Sequence, residues 1–537
     1  MFSARAAVFQ AMNLHRSLLV ARTASAASGV GRLAALVHEN GLRRPQLPKT
    51  LPKISRNQLL ALAALLVFVA LSIGYSYARS PWWDEGLFTD VALNFRNAGH
   101  LGSPTLDPDG YRHFPAVQEY TYWQFPLYFI SLGTWLHVVP PTAAGVRLFS
   151  VAFGLLYILS WFVFIRSVTR NESLALLVGS VVALDYACVS AASDGRMDMM
   201  CAALGQAALA AYVSLRARNW NFAIAIAAFF GAAAFFSHPM GLIANCCLAV
   251  LVIMDWRQIR WQGLLAATAP FLLGGALCLR YVLEAPKIYL AQSTSASAYR
   301  ISTLSAAIKA ISTDAYHRYF LYYFAGLSGF SRFKVFCLLF GLAGLAALLL
   351  DSRLRKQPIS RILLGFALIA YIGIAGLDNQ DLPVYFVYSL PIFSACGAVW
   401  TYYCWKRRGF GRIIASALLA SAMLSTITGF AFKIRQNDYR AEYLPVIRLI
   451  RHTVPPGGIV MGGSELGYAL GFGPPLRDDR YLGFFSKINP AVFVVNGYYG
   501  ENRHLPWIWS RKRLARDFHL ALENKLYKVY LRNGIHY

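Results

Sequence analysis

The sequence predicts an all-α polytopic membrane bundle of about eleven transmembrane helices, with a small extracytoplasmic α/β domain at its C-terminal end. Three observations predict it. Only 14% of the 537 residues are charged, where soluble domains carry about a quarter. Hydrophobic residues make up 57%, and the mean hydropathy is +0.44. Long apolar stretches recur along the chain, and short basic clusters fall between alternate pairs of them.

Residues 1–57 come first and are treated apart from the fold. They are basic and carry no acid before Glu39. A transit peptide, a cytosolic tail and an overlong start all fit, but a secretory signal does not, because the apolar run begins only near Gln58. The transmembrane region is assigned to 58–432. Its apolar stretches are 58–77, 144–165, 173–192, 197–215, 221–237, 240–254, 263–282, 333–350, 360–376, 384–403 and 413–432. Residues 433–537 are not membrane-like. The segment "PPGGIVMGGSELGYAL" gives a turn, a short strand and a helical pattern, and "AVFVVNGYY" and "KLYKVYLRN" read as further strands. The glycines of "GGIVMGGSELG" lack the GxGxxG spacing of a dinucleotide site.

Orientation follows from the basic residues. With a cytoplasmic N-terminus, the inner connections hold Arg166 and Arg170, Arg216 and Arg218, Arg257 and Arg260, then Arg353, Arg355 and Lys356, and last Lys406, Arg407, Arg408 and Arg412. Each is short and basic, as the positive-inside rule requires. The net charge of +26 is thus spread as topology signals, and nucleic acid is not an expected partner. The eight cysteines lie in or beside apolar runs without CxxC spacing, which reads as buried thiols.

Four segments then face outward: 78–143, the turn near 191–198, 283–332 and the chain after 432. The first holds Asp84 and Glu85 in "SPWWDEGLFTD". The turn holds Asp194, Arg196 and Asp198, whose two acids share a face if the segment is helical. Arg147 sits near the outer entry of the second span, and His238 near the outer end of the fifth. Each has a bland reading. Acids and tryptophans populate membrane surfaces, Asp–Arg pairs cap helices, arginines snorkel, and a histidine beside Pro239 can simply end a helix. Segment 283–332 interleaves Lys287, Arg300, Lys309 and Arg318 with six tyrosines, a pattern for a basic shelf lying on the bilayer or an ordinary interfacial segment. Together these groups suit transfer from a lipid phosphate to a hydroxyl: a carboxylate takes the proton, and cations stabilise the departing phosphate.

The ordered set "WWDEGLFTDVALNFRNAGHLGSP", "YWQFPLYFISLG", "VRLFSVAFG" and "GRMDMM" resembles membrane glycosyltransferases of the C-type (GT-C) fold. The nearest group is similar to glycosyltransferase family 39, with the aminoarabinose–lipid A transferases and protein O-mannosyltransferases. The resemblance is clearest over 75–245. It implies inverting transfer of a sugar from a polyprenyl-phosphate donor to an envelope lipid or glycan. Asp84 is the implied principal carboxylate and Glu85 its catalytic or structural partner. Either Asp194 or Asp198 is implied as the second acid, and Arg147 and Arg196 would contact the donor phosphate or hold the carboxylates. His238 joins the substrate-binding set. Some relatives use a divalent metal and others do not; no cofactor is required by the sequence.

Two departures narrow the expectation. Gln124-Phe125-Pro126 stands where the aminoarabinose transferases carry Lys-Pro, and Ser237-His238 where they tend to carry lysine. The middle loop is too short for the domain inserted in protein mannosyltransferases. A protein O-mannosyltransferase-like enzyme is the first alternative. The second is a transporter or flippase, for which Asp185, deep in the third span, is the best argument. The outer segments lack Asn-x-Ser/Thr, which favours a bacterial inner membrane with the site facing the periplasm.

Overall fold

The structure is a computed structural model and describes residues 54–297, 304–325, 334–378, 382–407, 409–497 and 512–534. The basic N-terminal segment, apart from its last residues, lies outside the described residues, as does Arg300.

Each of the eleven apolar stretches contains a helix. The first four helices in the chain are α1 (Arg56–Ala78), α2 (Trp83–Ala98), α3 (Leu127–Trp135) and α4 (Ala143–Thr169). Next come α5 (Glu172–Ala183), α6 (Tyr186–Ala192), α7 (Met197–Leu215), α8 (Trp220–Ser237), α9 (Gly241–Met254) and α10 (Trp261–Glu284). After α11 (Pro286–Ser297) and α12 (Leu304–Asp314) follow α13 (Val335–Leu350), α14 (Pro358–Leu377), α15 (Leu390–Lys406) and α16 (Phe410–Gln436). Among the described residues, eight helices are long and apolar enough to cross a membrane, or nine if the bent pair α5–α6 is one span. Helices α9 and α13 are apolar but shorter.

Polar side chains set the helix boundaries. Thr142, Asn171 and Asn219 each accept a backbone N–H in the first turn of α4, α5 and α8. The third apolar stretch is not one straight helix, because α5 and α6 meet at 60°. Asp185 causes the break: one carboxylate oxygen accepts from the N–H groups of Ala187 and Cys188, and the other from the Ser394 hydroxyl. Its oxygens are satisfied as a helix cap, which removes the transporter argument drawn from this residue. Where α13 crosses α15, Gly344 meets Gly397 so closely that a Cβ would lie 2.2 Å from the Gly397 nitrogen. Small residues bring the two backbones together without a hydrophobic driving force.

The bundle has two distinct ends. At one, Asn57 and Gln58 bond Ser173 and Glu172, Arg216 pairs with Asp255, and Arg407 pairs with Asp351. This end carries the short basic connections. The other carries α2, α3, the 192–197 turn, the 382–390 segment and the C-terminal region.

The C-terminal region is a five-stranded mixed sheet, β1 (Val460–Met461), β2 (Leu476–Arg477), β3 (Val492–Asn496), β4 (Phe518–Glu523) and β5 (Tyr527–Arg532), in the order β2-β1-β3-β5-β4. Strands β1, β2 and β3 are parallel, while β5 runs antiparallel to β3 and β4. Helix α17 (Leu444–Thr453) lays Val446, Ile447 and Ile450 on Val460, Val494 and Val529.

The predicted shelf differs from expectation. Lys287 and Lys309 are exposed, but Arg318 is wholly buried, bonded to Asp314 at 2.8 Å and Asp378 at 2.9 Å. Arg318 therefore ties the shelf to the bundle and is not available to a headgroup.

Candidate active site

The site begins where α1 ends. The chain turns at Pro81, and α2 starts with two tryptophans facing different partners. Trp82 donates its indole N–H to Asp194 at 3.0 Å, and Trp83 donates to Asp478 at 2.7 Å while stacking on Tyr111. Asp478 also accepts from Tyr111, from the Ser464 N–H and from the Ser464 hydroxyl. The α2 start is thus held between the 192–197 turn and the C-terminal sheet.

The adjacent acids have different surroundings. Glu85 is wholly buried. It accepts from Arg147 Nε at 2.8 Å, Arg147 Nη2 at 2.6 Å, the Gly195 N–H at 2.8 Å and the Trp82 N–H at 3.2 Å. Burial opposes its charge, but the Arg147 guanidinium overcomes that and draws the carboxyl down to about 2. Arg147 also donates to the carbonyls of Ser76, Arg79 and Ser80, so all five of its N–H groups are used. A direct donor-phosphate contact by Arg147 is therefore excluded by geometry. The arginine fastens Glu85 to the end of α1 instead. Glu85 has its oxygens filled by protein donors.

Asp84 is different. Its side chain is 20% exposed, pairs with Arg196 and lines a cavity of about 810 Å³. Arg196 also donates Nε to Asp198 at 2.9 Å, lies over the rings of Trp82 and Phe88, and lines the same cavity. Its Nη2 has no protein acceptor among the described residues.

The sequence placed Asp194 and Asp198 on one helical face. The structure separates them, because Gly195 and Arg196 precede α7 and only Asp198 lies in its first turn. Asp194 turns back to Trp82 and to Arg79, 3.4 Å away, and burial pushes it up to about 7. Asp198 holds Arg196 and faces Tyr388. His238 lines the cavity and accepts the Met240 N–H at 3.2 Å, which makes it a helix-end cap as well.

Several residues were not singled out from sequence. Arg79 lines the cavity above the rings of Tyr75 and Trp82. Lys433 donates to the Tyr186 hydroxyl at 2.6 Å and lies over the Tyr75 ring, and Lys334 lies over Tyr322. The last two sit at the ends of spans on the side the positive-inside rule leaves poor in cations. That mismatch is a signal that could have found them. Glu465 and Asn496 reach the same cavity from the C-terminal sheet region.

A divalent metal does not fit these side chains. Among the described residues no three His, Cys, Asp or Glu converge as ligands, and Asp84 faces an arginine.

No protein-family model and no curated protein matches the chain. Solved structures do. ArnT from Cupriavidus metallidurans bound to undecaprenyl phosphate aligns at a TM-score of 0.59 with 13% identity, over 88% of this chain and 97% of that one. The Archaeoglobus fulgidus oligosaccharyltransferase in its apo form aligns at 0.53 with 13% identity, over 83% and 70%. The same organism's AglB, in complex with an inhibitory peptide and a dolichol-phosphate, aligns at 0.51 with 11% identity, over 89% and 74%. The fold of this polytopic membrane chain is the GT-C fold of membrane glycosyltransferases.

Proposed function

We propose that the chain is an inverting glycosyltransferase that moves a sugar from a polyprenyl phosphate to a hydroxyl of an envelope lipid or glycan. The observation that carries this reading is the Asp84–Arg196 pair: a partly exposed carboxylate beside an arginine with spare donors, both lining one large cavity. Structures of this fold bound to undecaprenyl phosphate and dolichol-phosphate support the class of donor. The apolar wall of Leu87, Phe88, Phe114 and Trp123 suits the first isoprene units.

Asp84 takes the proton of the acceptor hydroxyl as that oxygen attacks the anomeric carbon. The bond from that carbon to the phosphate oxygen breaks, and its electrons leave with the phosphate. Arg196 and Arg79 stabilise the charge that develops there. One displacement inverts the anomeric centre. Asp198 and Asp194 hold the two arginines, and Glu85 with Arg147 fixes the turn that presents Asp84. The site faces away from the cytoplasm, because the basic connections gather at the opposite end of the bundle. The chain would then sit in a bacterial inner membrane and work from the periplasmic side.

The test is Asp84→Asn. Mass spectrometry of envelope lipids and glycans, with and without the gene, identifies the transferred residue. The variant is expected to lower transfer by about 10²–10⁴-fold while reaching the membrane at normal abundance. Full transfer by Asp84→Asn removes Asp84 as the base.

A further inference from the structure

Glu465 sits in the turn Ser464–Leu466 of the C-terminal region and is wholly buried. One of its oxygens accepts the Asn496 amide N–H at 2.7 Å. The other, Oε2, has no hydrogen-bond partner among the described residues. An idle buried carboxyl oxygen is costly in a finished fold. Yet Glu465 and Asn496 both line the cavity that holds Asp84, next to the hydroxyls of Ser80 and Tyr527.

The turn is rigidly placed. Its backbone abuts α2 at Gly86, where a Cβ would fall 2.3 Å from the Glu465 nitrogen. Only a glycine admits this approach, two residues after Asp84. Tyr443 donates to the Glu465 carbonyl at 3.0 Å, Tyr468 to the Glu85 carbonyl at 2.9 Å, and Ser464 is held by Asp478. Such fixing exceeds what a surface turn needs, and it aligns Glu465 with the first turn of α2.

Carboxyl, amide, phenol and hydroxyl groups together match the hydroxyls of a sugar ring. A buried carboxyl beside the Asn496 amide disfavours an anion at this wall and suits a neutral ring. We propose that Glu465 and Asn496 form a hydroxyl-binding subsite that holds a neutral sugar ring of the donor or acceptor beside Asp84. The proposal rests on the glycosyl-transfer reading of the cavity. Burial also pushes Glu465 up to about 8, which leaves it a proton to donate at neutral pH.

The test measures binding to the full chain in lipid nanodiscs by quenching of its tryptophan fluorescence. One arm uses undecaprenyl phosphate, bare or carrying glucose, mannose or galactose. The other uses the methyl glycosides of the same three sugars. At least one sugar-bearing probe should bind wild type more tightly than its sugar-free reference. Glu465→Ala and Asn496→Ala should each weaken that probe by about tenfold and leave bare undecaprenyl phosphate unchanged, which also reports correct folding. Glu465→Gln, which keeps a donor and an acceptor, should retain most of the binding. A loss confined to the lipid arm places the donor sugar in the subsite, and one confined to the glycoside arm places the acceptor. Unchanged sugar binding in both alanine variants, or no gain from any sugar in wild type, overturns the subsite. Wild type that ignores undecaprenyl phosphate defeats the lipid-donor reading, and the glycoside arm still decides the subsite.

Discussion

Two carboxylate–arginine pairs lie side by side at the start of α2, and their difference shows how the site divides labour. Glu85 and Arg147 are each 1% exposed and leave no donor or acceptor idle toward solvent. Asp84 and Arg196 are 20% and 6% exposed and border a cavity. The two acids are neighbours in sequence, so the helix turn alone sends one inward and one to the cavity. A fully satisfied pair supplies rigidity and cannot react. A pair with idle donors can receive a substrate anion and a proton.

The largest effect that could break this comparison is Arg147→Ala. It would strand the buried Glu85 charge and free three carbonyls at the end of α1. Removing one partner of a buried pair costs about 3–5 kcal/mol. The purified variant should show a sharply lowered unfolding midpoint in a thermal melt, or fail to accumulate. A midpoint matching wild type would mean that the pair does not hold the turn.

A smaller effect sharpens the same contrast through pH. The Glu85 carboxyl is drawn down to about 2 from 4.5, so the folded chain holds fewer protons there than the unfolded chain. Its contribution is present above about pH 4.5 and is lost as pH falls toward 2. Asp194 and Glu465 act with opposite sign, since burial pushes them up to about 7 and 8. Their proton-bound folded forms favour stability at low pH, and that contribution declines as pH rises from about 4 to 8. Melting temperature should therefore peak in the mildly acidic range. Glu465→Gln should flatten the limb on the alkaline side and leave the acid limb intact.

Much of the bundle could be read from sequence because hydropathy is a local property: a run such as 144–165 must be buried in something apolar wherever it folds. The gathering of Asp84, Arg196 and Asp198 was legible for a related reason, since costly charges at span ends imply partners. The role of Arg147 was not. A sequence names an arginine but does not count the carbonyls that will meet it, and here three come from residues 67–71 positions earlier. The bend at Asp185 was hidden inside a continuous apolar run. Strands β2 and β4 were missed, one because two residues carry no periodicity and the other because "FHLALE" also suits a helix. Tyr468 and Asp478 reach α2 from 383 and 395 positions away, a distance at which only the folded chain reveals a contact.

The smallest expected effect is the stability of Asp84→Asn, and it is the one that separates the two pairs most cleanly. Arg196 keeps its bond to Asp198 when the Asp84 charge is gone, and its guanidinium still lies over Trp82. Asparagine retains an acceptor of the same shape, and the site borders a cavity rather than packed core. The cost should stay under about 1 kcal/mol, the range of partly solvated ion pairs. Thermal melts of Asp84→Asn and wild type should then nearly coincide, although transfer is lost. A large drop in the midpoint would place Asp84 with Glu85 as a structural anchor, and a loss of transfer in that variant would no longer speak for proton abstraction.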